Sequence, residues 1–267
     1  MKKTLILLFP LCFLLSCEEE IFWSLDTDTT EKLVVEAILT DERKIQEIKL
    51  STSFASLNGV PRAVDDATIF LRANGQEIQF LADSSQKGRY LSAAPFRIVG
   101  QVTYELEIRW ENQVYQASSV LSSKPILPTL RFIEDSARSR FFLANVGQVF
   151  NPNEEALVEV LIDWADQTDS LPNQALLYFY SFSSIHISEF LKPNKERVFF
   201  PAGSKVIATK YGLNEAYGDF LRALVIETEW NGLFYYSNPE NLPTNLSNGA
   251  LGFFSTCAVD VDTLIVE

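Results

Sequence analysis

The sequence predicts a mainly β protein of two domains, the second of which carries one amphipathic helix. Three observations predict it: short runs of β-branched and aromatic residues alternating with polar ones, turn residues at short intervals between those runs, and one window where the apolar spacing changes from two to three and four. The chain has 267 residues, 47% of them hydrophobic and 12% aromatic, which is enough to bury one large or two ordinary cores.

Residues 1–16 read as a signal peptide. Lys2 and Lys3 precede about a dozen mostly apolar residues, a charged start with a hydrophobic middle too short to span a bilayer. The run ends in Leu14-Leu15-Ser16-Cys17, which resembles a bacterial lipobox. In signals of that kind the cysteine thiol receives a diacylglycerol, the preceding peptide bond is cut and the new amino terminus is acylated, so Cys17 is the expected lipidation site. Each buried methylene contributes about 0.8 kcal/mol, so two or three acyl chains hold a folded domain at a membrane without a crossing helix. Beyond Cys17 no apolar run reaches the roughly 18 residues that a spanning helix needs.

Residues 17–31 begin with Glu18-Glu19-Glu20, remain acidic and threonine-rich, lack periodicity, and read as a tether. Removal of the signal takes away two lysines and no acid, which moves the formal charge from −13 to −15. Such a charge argues against nucleic acid as a partner and against the polypeptide itself lying on anionic headgroups, leaving the lipid as the expected anchor.

Residues 32–123 form the first domain. Strand patterns fall at 32–39, 47–52, 67–73, 77–81, 88–93, 102–110 and 114–120. Asn74-Gly75 supplies the positive φ values of a tight hairpin, and Glu111-Asn112 makes a second short connection. In the strand ending at Trp110, Val102, Tyr104, Leu106, Ile108 and Trp110 share a core face, while Thr103, Glu105, Glu107 and Arg109 share a wet one. Seven short strands without a helix predict an immunoglobulin-like antiparallel sandwich.

Two prolines and small polar residues in Leu121–Pro128 mark the boundary to the second domain, residues 124–267. Strand patterns follow at 130–133, 141–149, 157–164, 175–183, 197–200 and 205–210. Tyr217, Phe220, Leu221, Leu224 and Val225 then form the apolar stripe of a helix over 214–229, with Asn214 as its N-cap and Glu215 in its first turn. A polar, proline-bearing loop leads to closing strands at 250–258 and 263–266.

The chemistry-bearing residues are few. Cys12 leaves with the signal and Cys17 is acylated, so Cys257 stands alone, without a disulfide partner, and reads as a small buried hydrophobe. His186 is the one histidine; isoleucines flank it as on a strand, and no Gly-x-Ser-x-Gly elbow accompanies it. One imidazole and one free thiol do not make a zinc site. Asp26-Thr27-Asp28 and Asp260-Val261-Asp262 alternate acids but continue into no calcium loop. No catalytic residue, metal or cofactor is expected. Tyr178, Phe179, Tyr180 and Phe182 crowd one strand and Phe234, Tyr235 and Tyr236 precede the proline-bearing loop, which offers either core packing or a wall of rings for sugar, peptide or protein.

Several stretches resemble one family, the Bacteroidota lipoproteins grouped as domain of unknown function 4249. They are Leu33-Val34-Val35-Glu36-Ala37-Ile38-Leu39-Thr40-Asp41, Asp66–Phe70, Gly88-Arg89-Tyr90, Gly100–Leu106, Asn238-Pro239 and Thr244–Phe254, in order and spaced over nearly all of the mature chain. The resemblance implies a lipoprotein of a Gram-negative envelope, often encoded beside a TonB-dependent outer-membrane receptor, with no established activity and no catalytic residues to carry over. In such bacteria an acidic run after the lipidated cysteine resembles a signal for export to the outer face of the outer membrane, the role this implies for Glu18, Glu19 and Glu20. The expected function is a surface-exposed, lipid-anchored accessory protein that binds a ligand or a TonB-dependent receptor. The alternatives are a surface hydrolase using carboxylates and an assembly subunit of an envelope complex.

Overall fold

A computed structural model describes residues 31–54, 59–144, 155–168, 171–181, 197–229 and 242–267. The strands among them are β1 (Leu33–Thr40), β2 (Glu47–Thr52), β3 (Thr68–Ala73), β4 (Gln76–Ala82), β5 (Arg89–Ser92), β6 (Thr103–Trp110) and β7 (Gln113–Val120). They continue with β8 (Phe132–Asp135), β9 (Arg140–Leu143), β10 (Ala156–Asp163), β11 (Gln174–Ser181), β12 (Lys205–Gly212), β13 (Leu251–Cys257) and β14 (Val259–Ile265). Among the described residues one α-helix, α1 (Glu215–Glu229), lies between β12 and β13. The protein is mainly β, as its alternation predicts.

Eight strands make one sheet in the order β13-β1-β2-β5-β4-β3-β6-β7. Its inward residues, among them Val35, Ile48, Ile69, Phe80, Leu106 and Ile108, form a single core. Both tight hairpins take the geometry of primed turns: φ is positive at Asn74 and Gly75, residues that favour it, and again at Glu111 and Asn112, matching the right-handed twist of the strands they join. The sheet rolls until its outer strands meet, a sandwich closed almost to a barrel. Thr256 N of β13 donates to Ser119 Oγ of β7 at 3.0 Å, and Ser122 N donates to Thr256 O at 3.3 Å.

The closing strand at 250–258 reads from the sequence as part of the second domain, and here the structure differs. β13 runs parallel to β1, from Val34 opposite Leu251 to Thr40 opposite Cys257, so it belongs to the first sheet. Both its faces are covered, Phe254 by the barrel core and Phe253 and Cys257 by α1, and a strand buried on both sides carries no alternation to reveal its partner.

A second sheet, β11-β10-β12-β14, is antiparallel throughout. Val158, Val160 and Ile162 pack against Val206, Ala208 and Phe200, and the β8–β9 hairpin closes over this core with Phe132, Phe141 and Leu143. The run 197–200, expected as a strand, makes only the isolated bridge Phe200–Phe141. The proline-bearing segment after β7 straps the two sheets together: Ser122 Oγ donates to Gly212 O at 2.7 Å and Lys210 Nζ donates to Ile126 O at 2.9 Å.

Glu107 departs from its expected wet face, being only 8% exposed. Arg72 Nη1 reaches its carboxylate at 2.7 Å and Arg109 Nη2 at 2.7 Å, while both guanidinium groups lie over the Phe70 ring. Donation from Arg72 holds Glu107 below the ordinary carboxylate range, against partial burial and with help from Arg109. A depressed folded pKa stabilises above the unfolded value and stops doing so as pH falls through the folded one. Glu107→Gln is therefore expected to melt below wild type at pH 7, with the gap closing below about pH 4. Melting curves across pH check this, and a gap of constant size would contradict it.

Candidate functional site

The seam between β7 and β13 opens into a cleft of about 460 Å3. Thr103 of β6 and Ser118, Ser119 and Val120 of β7 form its floor, and the first turn of α1 and Asn245 form its walls. Its position follows from two asparagines. Asn214 Oδ1 accepts from Tyr217 N at 2.9 Å and caps the helix, while its Nδ2 donates to Ser119 Oγ at 3.3 Å and Ser255 Oγ at 3.4 Å. The cap that starts α1 thus also fixes it to the seam.

Asn245 replaces a missing stretch of ladder. Its Nδ2 donates to Ser118 O at 3.2 Å and Phe254 O at 2.7 Å, and its Oδ1 accepts from Phe254 N at 3.1 Å. Two residues on, Ser247 N donates to Gln116 O and Ser247 Oγ accepts from Gln116 N. The segment Thr244–Gly249 clasps β7 to β13, which gives a physical meaning to the most extended of the family-like stretches.

Beneath the helix, Tyr217 stacks on Phe253 at 5.2 Å, and Leu213, Leu221 and Cys257 complete the layer. Cys257 is fully buried, and burial pushes its thiol up to about 12, so at neutral pH it is protonated and serves as packing, as the sequence suggests. The groups left facing the cleft are the hydroxyls of Thr103 and Ser118 and the carboxylates of Glu215 and Asp219, the latter paired with Arg222 at 2.7 Å. Such groups can accept and donate hydrogen bonds to a neutral or cationic polar ligand. Among the described residues that line the cleft there is no imidazole or thiolate to make a nucleophile and base pair.

The residues singled out from sequence are distributed as follows. Cys17, Glu18, Glu19 and Glu20, and likewise Asp26, Asp28, His186, Phe182 and Phe234–Tyr236, lie outside the described residues. The rings of β11 divide: Phe179 packs into the second core, Tyr180 against the layer under α1, and Tyr178 is 42% exposed. Asp260 accepts from Leu127 N at 2.8 Å and Asp262 from Thr263 N at 2.8 Å, so both acids serve the backbone. Among the described residues no three His, Cys, Asp or Glu side chains converge as a metal site, and no helix is long and apolar enough to cross a membrane. The seam residues Ser119, Ser255 and Thr256 escape a reading from sequence, because small hydroxyl residues in a strand carry no signal of the partner they will meet.

A family described as a domain of unknown function (DUF4249) matches residues 18–263. No curated protein matches the chain.

Proposed function

The chain belongs to the DUF4249 family, and from that premise we propose that it is a Bacteroidota lipoprotein, anchored in the outer membrane through Cys17 and displayed on the cell exterior. In this reading it is an accessory protein that binds a ligand or a TonB-dependent receptor partner. The observation that carries the anchor is the opening sequence itself, two lysines, a short apolar run and Leu14-Leu15-Ser16-Cys17. The cleft at the seam is where this reading places a ligand, and Glu18-Glu19-Glu20 is its export signal.

Cells fed labelled palmitate are expected to incorporate it into the wild-type chain and not into Cys17→Ser, which should leave the membrane fraction. A Cys17→Ser chain that stays membrane-bound would sink the anchor. Replacing Glu18, Glu19 and Glu20 together by alanine is expected to protect the protein from protease added to intact cells; undiminished cleavage would remove the export signal from the reading. Mild crosslinking should recover a TonB-dependent receptor, and recovery of neither such a receptor nor a ligand counts against the accessory role.

A further inference from the structure

Among its described residues, the strongly acidic chain concentrates positive charge on the outside of the β8–β9 hairpin. Pairing of Ile133 with Phe142 and of Asp135 with Arg140 puts these four side chains on the side opposite Phe132, Phe141 and Leu143, which enter the core. Arg131 continues the same alternation one step before β8. The Arg138 guanidinium lies 4.5 Å from the centre of the Phe199 ring, Phe199 meets Phe142 edge to face at 5.7 Å, and the Arg197 guanidinium lies 4.9 Å from Phe142. Two arginines thus bracket a pair of rings, with two more beside them. Among the described residues of the face one is a carboxylate, Asp135, which Arg138 takes up at 2.9 Å.

We propose that this face docks on the anionic headgroups of a membrane surface. Charge complementarity selects an anionic partner. The apolar component selects a membrane over a soluble polyanion: Ile133 is 47% exposed and the two rings are partly so, an arrangement that gives phosphates to the guanidinium groups and the acyl boundary to the apolar side chains. Stacking on the rings holds the guanidinium planes in place, so less side-chain freedom is lost on binding. The overall charge, −13 for the full chain and −15 without residues 1–16, does not prevent this, because at physiological salt the screening length is about 8 Å and acids farther than that from the face contribute little. The tether permits the approach, since the residues from Cys17 to Glu31 reach at most about 50 Å when fully extended, and leaves the choice of face to the surface itself. The sequence-based expectation that the polypeptide avoids anionic headgroups then holds for the average surface and fails at this hairpin.

The proposal takes its membrane setting from the anchored reading above, and its test is made independent of the anchor by using the chain with Cys17→Ser. Co-sedimentation is measured at 0.15 M salt with vesicles of phosphatidylcholine alone and with vesicles containing about one third phosphatidylglycerol. Preferential binding to the second is expected, weakening by about 5-fold for each arginine removed. Arg138→Ala with Arg197→Ala tests the bracketed pair. Arg140→Glu tests charge at a position outside the ring stack and keeps the question open to measurement if the double variant melts early. Equal binding to both vesicles, or binding unchanged in Arg140→Glu, would overturn the proposal. So would competition by millimolar inorganic phosphate, which would mark a single-anion site, or retention by an anionic polysaccharide without retention by vesicles. Failure of palmitate labelling with vesicle binding intact would remove the anchor and leave this face standing.

Discussion

Gly252→Ala is expected to lower the melting temperature by roughly 6–12 °C, the fall that about 3 kcal/mol produces in a chain of this size. Gly252 sits in β13 directly opposite Val35 of β1, with φ at +86°, a backbone conformation that costs a residue with a side chain about 1–3 kcal/mol. Strain is only part of the effect. A Cβ at this position would run into the Val35 carbonyl oxygen and carbon, backbone atoms that cannot swing aside as a side chain would. The strand pair must therefore separate locally, and this pair is the one that carries β13, with α1 packed behind it, onto the barrel. Gly100→Ala is the matched control, because it has open space around it and no positive φ. Its melting temperature is expected to stay within the change that about 0.5 kcal/mol makes. Thermal melts of the two variants decide it: equal stabilities would mean that β13 is not held as described.

The parts of the fold legible in the sequence are those set by neighbours along the chain. Thr103–Trp110 alternates because one side of β6 is wet, Asn74-Gly75 turns because the residues after β3 must take positive φ, and Asn214 to Val225 shows a helix because its stripe and cap lie within four turns. The parts that were not legible depend on contacts between distant segments. The parallel partnership of β1 with β13 joins residues more than two hundred positions apart, and the run Phe253-Phe254-Ser255-Thr256-Cys257 faces one core with Phe254 and another with Phe253 and Cys257. Glu107 looked solvated because the two arginines that cover it come from a neighbouring strand and from its own. The cleft at the seam draws on β6, β7, α1 and the segment before β13, each with residue types that are ordinary in loops and strands. The positive face was hidden for the same reason, since Arg197 reaches the Phe142 ring of the hairpin from a segment more than fifty positions along the chain.

Gln46 was equally silent in the sequence, lying just before β2, yet it is 0% exposed and organises the turn from β1 into β2. Its Oε1 accepts from Thr40 N at 3.1 Å, and its Nε2 donates to Thr40 O at 3.1 Å, Glu42 O at 3.0 Å and Phe96 O at 3.2 Å. Two of those carbonyls have other donors, Ile98 N on Thr40 O and Lys44 N on Phe96 O, so an apolar replacement orphans chiefly the buried Thr40 N–H. Gln46→Leu is therefore expected to cost about 1–3 kcal/mol, the penalty of one unsatisfied buried group, at any pH where the rest of the protein is unchanged. Gln46→Glu has the same shape and a different outcome. The introduced carboxyl keeps the bond from Thr40 N but turns an acceptor toward three carbonyl oxygens, with burial adding to the cost of ionising it. Its folded pKa must lie above the unfolded value of about 4.3, so the substitution does least harm below that pH. Destabilisation then grows as pH rises through about 4.3 toward the raised folded value and levels off above it. Gln46→Glu should accordingly be worse than Gln46→Leu at pH 8 and approach it, or surpass it in stability, near pH 4. Denaturant midpoints of the two variants at both pH values measure the crossing, and a Gln46→Glu protein whose deficit is the same at pH 4 and pH 8 would show that this side chain reaches water.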